Sequence, residues 1–356
     1  MISRRLFVKQ MLAFLAMAAG SGASAVRVFG PGSEKDTVPH AEAAGAPAED
    51  PAGPSQPLLS LFLLSDLHLS AVDPSMADKL HLALQDITGF DSKVDAIILG
   101  GDLTDFGRTI EYEQLRKVLG SYKLPPVYGN MGNHDYYDVW LTPEGAFSTE
   151  TVPNGKTDAM ARARFQQFFG GQPKPHRDVW IGGNHLILLS QEAYVQERPD
   201  VGEGAWYSDE QLAWFEEVMK THTYSQPAFV FIHQPLPDPG MDGGTHRLIR
   251  AKRFREILAP YPNVFVFSGH THRNFIGEDH YNRQNTFHWF TNASVGKTRA
   301  KPGGAPGSQV QGMHVQLFSD QVVVRGREFT NRSWIDGASW TVPLSRPGVP
   351  AAQSKA

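Results

Sequence analysis

Apolar runs with the length of buried β-strands alternate with helical patterns along most of this chain. The first run, LLSLFLL at 58–64, is almost wholly apolar, as in a strand that is covered on both faces of its sheet. Further strands are predicted at 94–100, 125–129, 185–190, 228–232 and 264–268. The C-terminal part of the chain, which contains the runs TFHWFTN, GMHVQLF and QVVVRGREF, is rich in predicted strands without intervening helices. We therefore expect an α/β domain whose sheet, or second sheet, is finished by antiparallel strands.

Four helices are predicted between these strands. The segment 76–87 spaces its apolar residues at helical intervals. Another helix is expected near 110–119, and a third at about 248–258. A fourth, at 207–220, begins with a serine and a glutamine at the spacing of a capping box, in which each side chain bonds the backbone of the other residue.

Side chains that commonly bind metal ions follow five of the predicted strands, at the point where each strand ends. The motifs are SDLHLS, GGDLTD, GNHD, HQP and GHTH, and they supply Asp66, His68, Asp102, Asn133, His134, Asp135, His233, His270 and His272. Gly132 is expected to allow the sharp exit of the third strand. In open α/β sheets, ligands bind at the carboxyl ends of the strands. One such motif is usually a turn, but five in order indicate a site.

The donor set is too large for one ion. Seven oxygen and nitrogen donors exceed what one divalent ion needs, and they suit two ions that share a carboxylate. Carboxylate, amide and imidazole donors are compatible with divalent or trivalent Mn, Fe, Zn, Ni or Co. The chain has no cysteine, so thiolate ligands and disulfides are excluded.

The five motifs resemble the pattern of the calcineurin-like metallophosphoesterase superfamily, which is D-x-H, GD, GNH followed by D or E, a lone H, and GH-x-H. All five are present in order, with a spacing most similar to the cyclic-nucleotide phosphodiesterase branch. The resemblance implies a four-layer α-β-β-α sandwich over residues 58–330, with two facing mixed sheets and a dinuclear metal centre between them. Residues 331–356 are then expected to form a C-terminal tail.

The resemblance also implies a role for each motif residue. The ligands of the first ion would be Asp66, His68 and His272. The ligands of the second ion would be Asn133, His233 and His270, with Asp102 as the bridge between the ions. His134 is expected to hydrogen-bond the phosphoryl group and protonate the leaving oxygen. Asp135 is expected to orient the His134 imidazole from behind.

The implied function is hydrolysis of small-molecule phosphate esters by attack of a metal-bridging hydroxide. We predict phosphodiesters, because two divalent ions, two carboxylates and a hydroxide leave a single positive charge that matches a diester monoanion. No lysine lies within a motif to balance a monoester dianion. The alternative is a phosphomonoesterase acting on nucleotides, sugars or proteins. A metal-binding protein without catalysis is disfavoured, because Asp102 and His134 are both present.

Residues in or beside the motifs also give information on the type of metal centre and on the substrate. Asp105 stands where purple acid phosphatases place a metal-binding tyrosine, so no iron–tyrosinate centre is expected. Ile232 stands where the phosphodiesterase branch often has a histidine, a departure that counts against a cyclic-nucleotide substrate but not against hydrolysis. Tyr136, Tyr137 and Trp140 form either a platform for a second ester group or ordinary loop packing.

The N-terminus predicts export. Residues 1–25 combine Arg4 and Arg5 with a short apolar stretch and a small-residue cleavage site, which is the layout of a signal peptide. The paired arginines, followed by Phe7 and Lys9, resemble the twin-arginine signal, and an ordinary secretion signal is the alternative. The expected partner is therefore the twin-arginine export machinery, and the expected location is periplasmic or extracellular. Residues 26–57, rich in Ala, Pro, Gly and Glu, are predicted to be a disordered linker.

Charge and hydropathy argue against a nucleic-acid partner and against a membrane span. The formal net charge is −4, with no basic footprint of the kind that nucleic-acid-binding domains show, so no nucleic-acid partner is expected. No segment after residue 57 is long and apolar enough for a transmembrane helix, so no stable membrane span is expected after signal cleavage.

Overall fold

The computed structural model describes residues 56–346. The predicted signal peptide at 1–25, and all of the predicted linker except its last two residues, lie outside the described residues. Within the described part, the strands form two six-stranded sheets.

The first sheet joins the two ends of the described chain. Its parallel strands are β1 (Leu59–Leu64), β2 (Ala96–Gly100) and β3 (Val127–Asn130). Its antiparallel strands are β10 (Gln311–Leu317), β11 (Gln321–Glu328) and β12 (Ser333–Pro343). The order is β12-β11-β10-β1-β2-β3, so β1 lies between an early strand and a late one.

The second sheet is built from the middle of the chain. Its strands are β4 (Arg177–Ile181), β5 (Asn184–Leu188), β6 (Ala228–Phe231), β7 (Val264–Ser268), β8 (Tyr281–Gln284) and β9 (Phe287–Thr291). The order is β4-β5-β6-β7-β9-β8, with a parallel centre and an antiparallel strand at each edge. Both sheets are therefore mixed.

Five α-helices and one 3₁₀ helix connect the strands in the described region. They are α1 (Ser75–Thr88), α2 (Thr109–Gly120), the 3₁₀ helix (His134–Trp140), α3 (Asp158–Phe168), α4 (Asp209–Lys220) and α5 (Ala251–Leu258). Between residues 56 and 346, none of the helices has the length and apolar character needed to cross a membrane.

The side chains of each strand alternate between two apolar layers. Phe62 and Leu64 point to a cluster with α1, α2 and α3, whereas Leu61 and Leu63 point to a cluster that also contains Phe229 from the second sheet. A third cluster covers the other face of the second sheet with α4 and α5. The central strands are apolar on both faces because both faces are covered. The predicted four-layer α-β-β-α sandwich is confirmed.

The predicted end of the domain at residue 330 is too early. Residues 333–343, assigned to a C-terminal tail, form β12 and pair antiparallel with β11. Ile335, Ala338 and Val342 of this strand are buried and complete the layer between the sheets. The irregular spacing of its apolar residues around Gly337, where φ is +80°, explains why the strand was not predicted.

The helix at 207–220 begins at Asp209, and only half of the predicted capping box forms. The hydroxyl of Ser208 accepts a hydrogen bond from the backbone N–H of Gln211 at 3.0 Å. The side chain of Gln211 is buried instead against the backbone of Ser190, to which it both donates and accepts. The backbone N–H of Ser208 donates to Glu192, so a distant carboxylate completes the cap.

Candidate metal centre

The strands that carry the motifs end at the same side of the two sheets, and the five motifs meet there. The exits of β1, β2 and β3 carry the first three motifs, and the exits of β6 and β7 carry the last two. The backbone links the sheets directly after β9 and β1, because the N–H of Val295 donates to the carbonyl of Ser65 and the N–H of Gly296 donates to that of Asp66. Side chains predicted to share a site therefore come from two sheets.

The first group of donors contains Asp66, His68, Asp102 and His272, whose ligand atoms all lie within 4.8 Å of one another. The Nε2 atoms of His68 and His272 are 3.0 Å apart, and Nε2 of His272 lies 3.2 Å from Oδ1 of Asp66. Asp66 and His68 are fully buried, and Oδ2 of Asp66 has no hydrogen-bond partner among the described residues. Donor atoms that converge in this way could hold a cation.

The second group contains Asp102 again, with His233 and His270. Nε2 of His233 lies 3.1 Å from Oδ2 of Asp102. Asn133 joins this group, because its Oδ1 lies 3.0 Å from Nδ1 of His270. Asp102 is the one predicted ligand that belongs to both groups, as expected of a bridging carboxylate.

The backbone of the ligand residues is strained. Five of the proposed ligands have φ between 50° and 68°, in the left-handed region that L residues rarely adopt: Asp66, His68, Asp102, His270 and His272. Only two other non-glycine residues in the described region have positive φ. Such strain clusters at functional sites, where the surrounding structure holds it in place.

Three glycines in the motifs let backbone and ligands approach closely. A Cβ atom added at Gly101 would lie 2.3 Å from Nδ1 of His233, and one added at Gly269 would lie 2.5 Å from Oδ2 of Asp66. Gly132 does not have a positive φ, contrary to the role expected for it in a sharp turn. Instead, a Cβ there would lie 2.2 Å from Oδ1 of Asp102.

The electrostatics of the cluster fit a bound cation. Burial alone would raise the pKa of Asp102, but His233 and other histidines hold that pKa well below its ordinary value. Burial alone would lower the pKa of His233, but Asp102 and Asp66 raise it to about 9. Nδ1 of His233 lies 2.8 Å from the carbonyl of Gly100, which can only accept, so the proton drawn by the carboxylates is on Nε2. A metal ion would take the place of that proton.

His134 stands beside the two groups and has a fixed ring. Its Nδ1 lies 3.0 Å from the carbonyl oxygen of Asp105, to which it must donate, because a carbonyl has no proton. The ring stacks on Tyr137 with centroids 3.9 Å apart. The side chain is 22% exposed, which leaves Nε2 available to a substrate. This geometry suits the predicted exchange of a proton.

Asp135 does not have the role that was predicted for it. It is fully buried, and its carboxylate accepts hydrogen bonds from the backbone of Gly132, Leu103 and Thr104 and from the hydroxyls of Thr104 and Tyr112. Burial raises its pKa to about 6, and Asp102 adds to this effect. Asp135 therefore fixes the loops after β2 and β3, and the Asp105 carbonyl orients His134.

Three residues near the centre were not predicted to belong to it. The carboxylate of Asp105 lies 3.2 Å from Nδ1 of His68 and accepts a 2.6 Å hydrogen bond from Nζ of Lys297. Glu203 accepts a 2.6 Å hydrogen bond from Nδ2 of Asn133. Lys297 follows β9 and Glu203 lies in the loop between β5 and α4, and neither belongs to a recognisable sequence motif.

The aromatic residues after the GNHD motif form loop packing, the second of the two interpretations. Tyr136, Tyr137 and Trp140 are each less than 8% exposed and belong to the cluster against the first sheet. The hydroxyl of Tyr136 donates to the carbonyl of Gln191, and the indole N–H of Trp140 donates to the hydroxyl of Tyr194. They offer no open platform for a substrate.

Two facing sheets with a cluster of imidazole and carboxylate donors at their common edge are compatible with metal-dependent hydrolysis. Residues 59–274 match the calcineurin-like phosphoesterase family, which is more than half of the chain. The chain belongs to this family and is a hydrolase acting on phosphoric ester bonds, as predicted.

Individual relatives include phosphodiesterases. The chain is 25% identical over 235 residues to a probable cyclic nucleotide phosphodiesterase of Rhodopseudomonas palustris, covering 62% of this chain and 73% of that protein. It is 25% identical over 195 residues to the glycerophosphodiester phosphodiesterase GpdQ of Enterobacter lignolyticus, covering 52% of this chain and 59% of that protein.

Solved structures share the fold. A dimetal phosphatase from Danio rerio superposes with a TM-score of 0.55 at 14% identity, covering 82% of this chain and all of that one. A purple acid phosphatase from yellow lupin superposes with a TM-score of 0.54 at 12% identity, covering 80% of this chain and 53% of that one. At this identity the likeness concerns the fold alone.

Proposed function

We propose that this protein hydrolyses phosphodiesters at a centre of two metal ions. The observation that carries the proposal is the sharing of Asp102 between two donor groups. One ion would be held by Asp66, His68 and His272, and the other by Asn133, His233 and His270, with Asp102 common to both. Mn, Fe, Zn, Ni and Co are all compatible with these ligands. When bound, two such ions lower the pKa of water and stabilise charge on phosphoryl oxygens.

The residues of the chain supply positioning and proton transfer. Nδ1 of His134 is held by the Asp105 carbonyl, so Nε2 is the atom that can carry a proton to the departing alkoxide. The carboxylate of Asp105 holds the ring of His68 from the side opposite to the donor cluster, and Lys297 fixes that carboxylate. The proposed reaction thus uses one histidine for the proton and keeps the other histidines as neutral ligands.

The preference for diesters is supported by the relatives, whose names describe phosphodiesterases. Two observations do not support this preference. Tyr136, Tyr137 and Trp140 are buried and offer no platform for a second ester group, and Lys297 lies beside the centre, where a lysine could balance the charge of a monoester dianion. A cleft of about 450 Å³ includes Arg273, the residue after His272, among its lining residues, together with Trp289. We propose that it accommodates the second ester group, which a monoester lacks.

The test compares kcat/KM for bis(4-nitrophenyl) phosphate and 4-nitrophenyl phosphate on one preparation loaded with Mn²⁺. We expect the diester to be the better substrate. A tenfold preference for the monoester, which is about 1.4 kcal/mol in transition-state binding, would replace the proposal with a phosphomonoesterase. Absence of turnover of either ester by protein that holds two ions would contradict catalysis altogether.

We further propose that the protein is exported by the twin-arginine machinery to the periplasm or the extracellular space. The support is the sequence of residues 1–25. Replacing Arg4 and Arg5 by lysine keeps the charge and removes the paired arginines, so precursor should accumulate in the cytoplasm. Unchanged export of this variant would indicate an ordinary secretion signal.

A further inference from the structure

A buried carboxylate outside all five motifs contacts a proposed ligand. Glu203 lies in the loop between β5 and α4 and is 5% exposed. Three side-chain donors converge on it. Oε2 accepts from Nδ2 of Asn133 at 2.6 Å and from the hydroxyl of Tyr137 at 2.5 Å, and Oε1 accepts from the hydroxyl of Tyr194 at 2.8 Å. The hydrolysis proposed above assigns no role to this carboxylate.

The contact decides which end of the Asn133 amide faces the metal ligands. An amide presents an oxygen acceptor at one end and two N–H donors at the other. Both donors are directed away from the ligands, one to Glu203 and the other to the hydroxyl of Tyr137 at 3.3 Å. The oxygen is thereby left beside Nδ1 of His270. Only this orientation offers a lone pair to a cation.

The same carboxylate also supports the ring of His134. The hydroxyl of Tyr137 is bonded to Glu203, and the ring of Tyr137 stacks on that of His134. On its backbone, the carbonyl of Glu203 accepts from Nε2 of Gln234, the residue after the ligand His233. One buried residue is therefore connected to a ligand, to the proton donor and to the loop of another ligand.

We propose that Glu203 is a positioning residue that holds the oxygen of Asn133 toward the second metal ion and the ring of His134 in place. The inference rests on the two-ion centre of the proposed function. The proposed role depends on the length of the Glu203 side chain, because its carboxylate must extend far enough to accept a hydrogen bond from Nδ2 of Asn133. A residue that merely filled the core would influence stability without distinguishing one ion from the other.

Two substitutions separate reach from charge. Glu203→Asp keeps the charge but withdraws the carboxylate by one methylene, so its bond to Asn133 is lost. Glu203→Gln keeps the length and one oxygen acceptor for Asn133. Equilibrium dialysis against Mn²⁺ counts the ions bound and their affinities. We expect Glu203→Asp to bind the first ion normally and the second about 10–100-fold more weakly, and Glu203→Gln to retain most of the affinity for both.

Asp158→Asn is the matched control. Asp158 is a buried carboxylate that accepts hydrogen bonds from the backbone of Tyr194 and Glu197 and contacts no proposed ligand. Its substitution should lower the melting temperature and leave both ions bound. If Glu203→Asp binds two ions with wild-type affinities, or if Asp158→Asn loses the second ion equally, the inference is wrong. If the wild type binds fewer than two ions, the proposed function itself fails.

Discussion

Replacing Gly132 by alanine should damage the metal centre without changing any ligand. The added Cβ would lie 2.2 Å from Oδ1 of Asp102, 2.7 Å from the backbone nitrogen of Asp102 and 2.6 Å from Cδ2 of His233, whereas ordinary contacts begin at 3.4 Å. Both ligands, or the loop that carries Gly132, must therefore move by about 1 Å, and errors of this size in a catalytic site cost about 100-fold in rate. Overpacking of this kind also destabilises a fold by about 1–3 kcal/mol.

The assay separates these two effects. Bound metal is measured after dialysis against a weak chelator, and the free energy of unfolding is measured by urea titration of the metal-free protein. Gly120→Ala is the control, because Gly120 ends α2 and a Cβ there meets nothing within 4 Å. We expect Gly132→Ala to lose metal affinity and stability, and Gly120→Ala to lose neither.

The result that would refute this reasoning is full metal content and wild-type activity in Gly132→Ala. Such a result would mean that the loop after β3 is soft enough to absorb the methyl group. The close approach of Gly132 to Asp102 and His233 would then be incidental to the centre.

Three further outcomes are expected. Asp102→Asn should weaken binding of both ions in a metal titration, whereas His134→Ala should retain both and reduce kcat by about 10²–10⁴-fold. The pKa of His314 is lowered to about 3 by burial and two arginines. As pH falls below about 6.5, His314 is therefore protonated in the unfolded chain but not in the folded protein, and this destabilises the fold. In His314→Gln, the free energy of unfolding measured by urea titration between pH 6 and 4 should fall less steeply than in the wild type, by about 1.4 kcal/mol per pH unit. Asp86 forms a buried bidentate ion pair with Arg327, at 2.7 and 2.8 Å. Asp86→Ala should cost about 3–5 kcal/mol in the same measurement, and the double variant with Arg327→Met much less.

The proposed ligands could be predicted because each motif directly follows a strand that the sequence itself reveals. Asp66 and His68 come immediately after the apolar run of β1, and His270 and His272 follow that of β7. Parallel strands place such residues at one edge whatever the loops between them do. The local pattern was therefore sufficient to predict which side chains lie at the edge of each sheet, whereas their division between two ions came from the family resemblance.

The residues that support the ligands could not be predicted in this way. Lys297 is 192 positions from Asp105, and Glu203 is 70 positions from Asn133, so only the folded chain brings each pair together. Asp135 shows the opposite case. It is adjacent to His134 in sequence, but the turn that starts the 3₁₀ helix directs its carboxylate to backbone amides of a different loop. Adjacency in sequence therefore does not predict contact here.

The order of strands in the first sheet has a consequence for how the protein must assemble. All proposed ligands lie at or before residue 272 in the sequence, yet β1 obtains its second neighbouring strand only from β10. Ser60 and His314, whose side chains are hydrogen-bonded across that pair of strands, are 254 positions apart. A growing chain thus contains every donor atom well before the strand that carries Asp66 and His68 is flanked on both sides. Pairing across such a distance in sequence is slow. We therefore expect metal uptake to be a late event in folding that follows docking of the C-terminal strands.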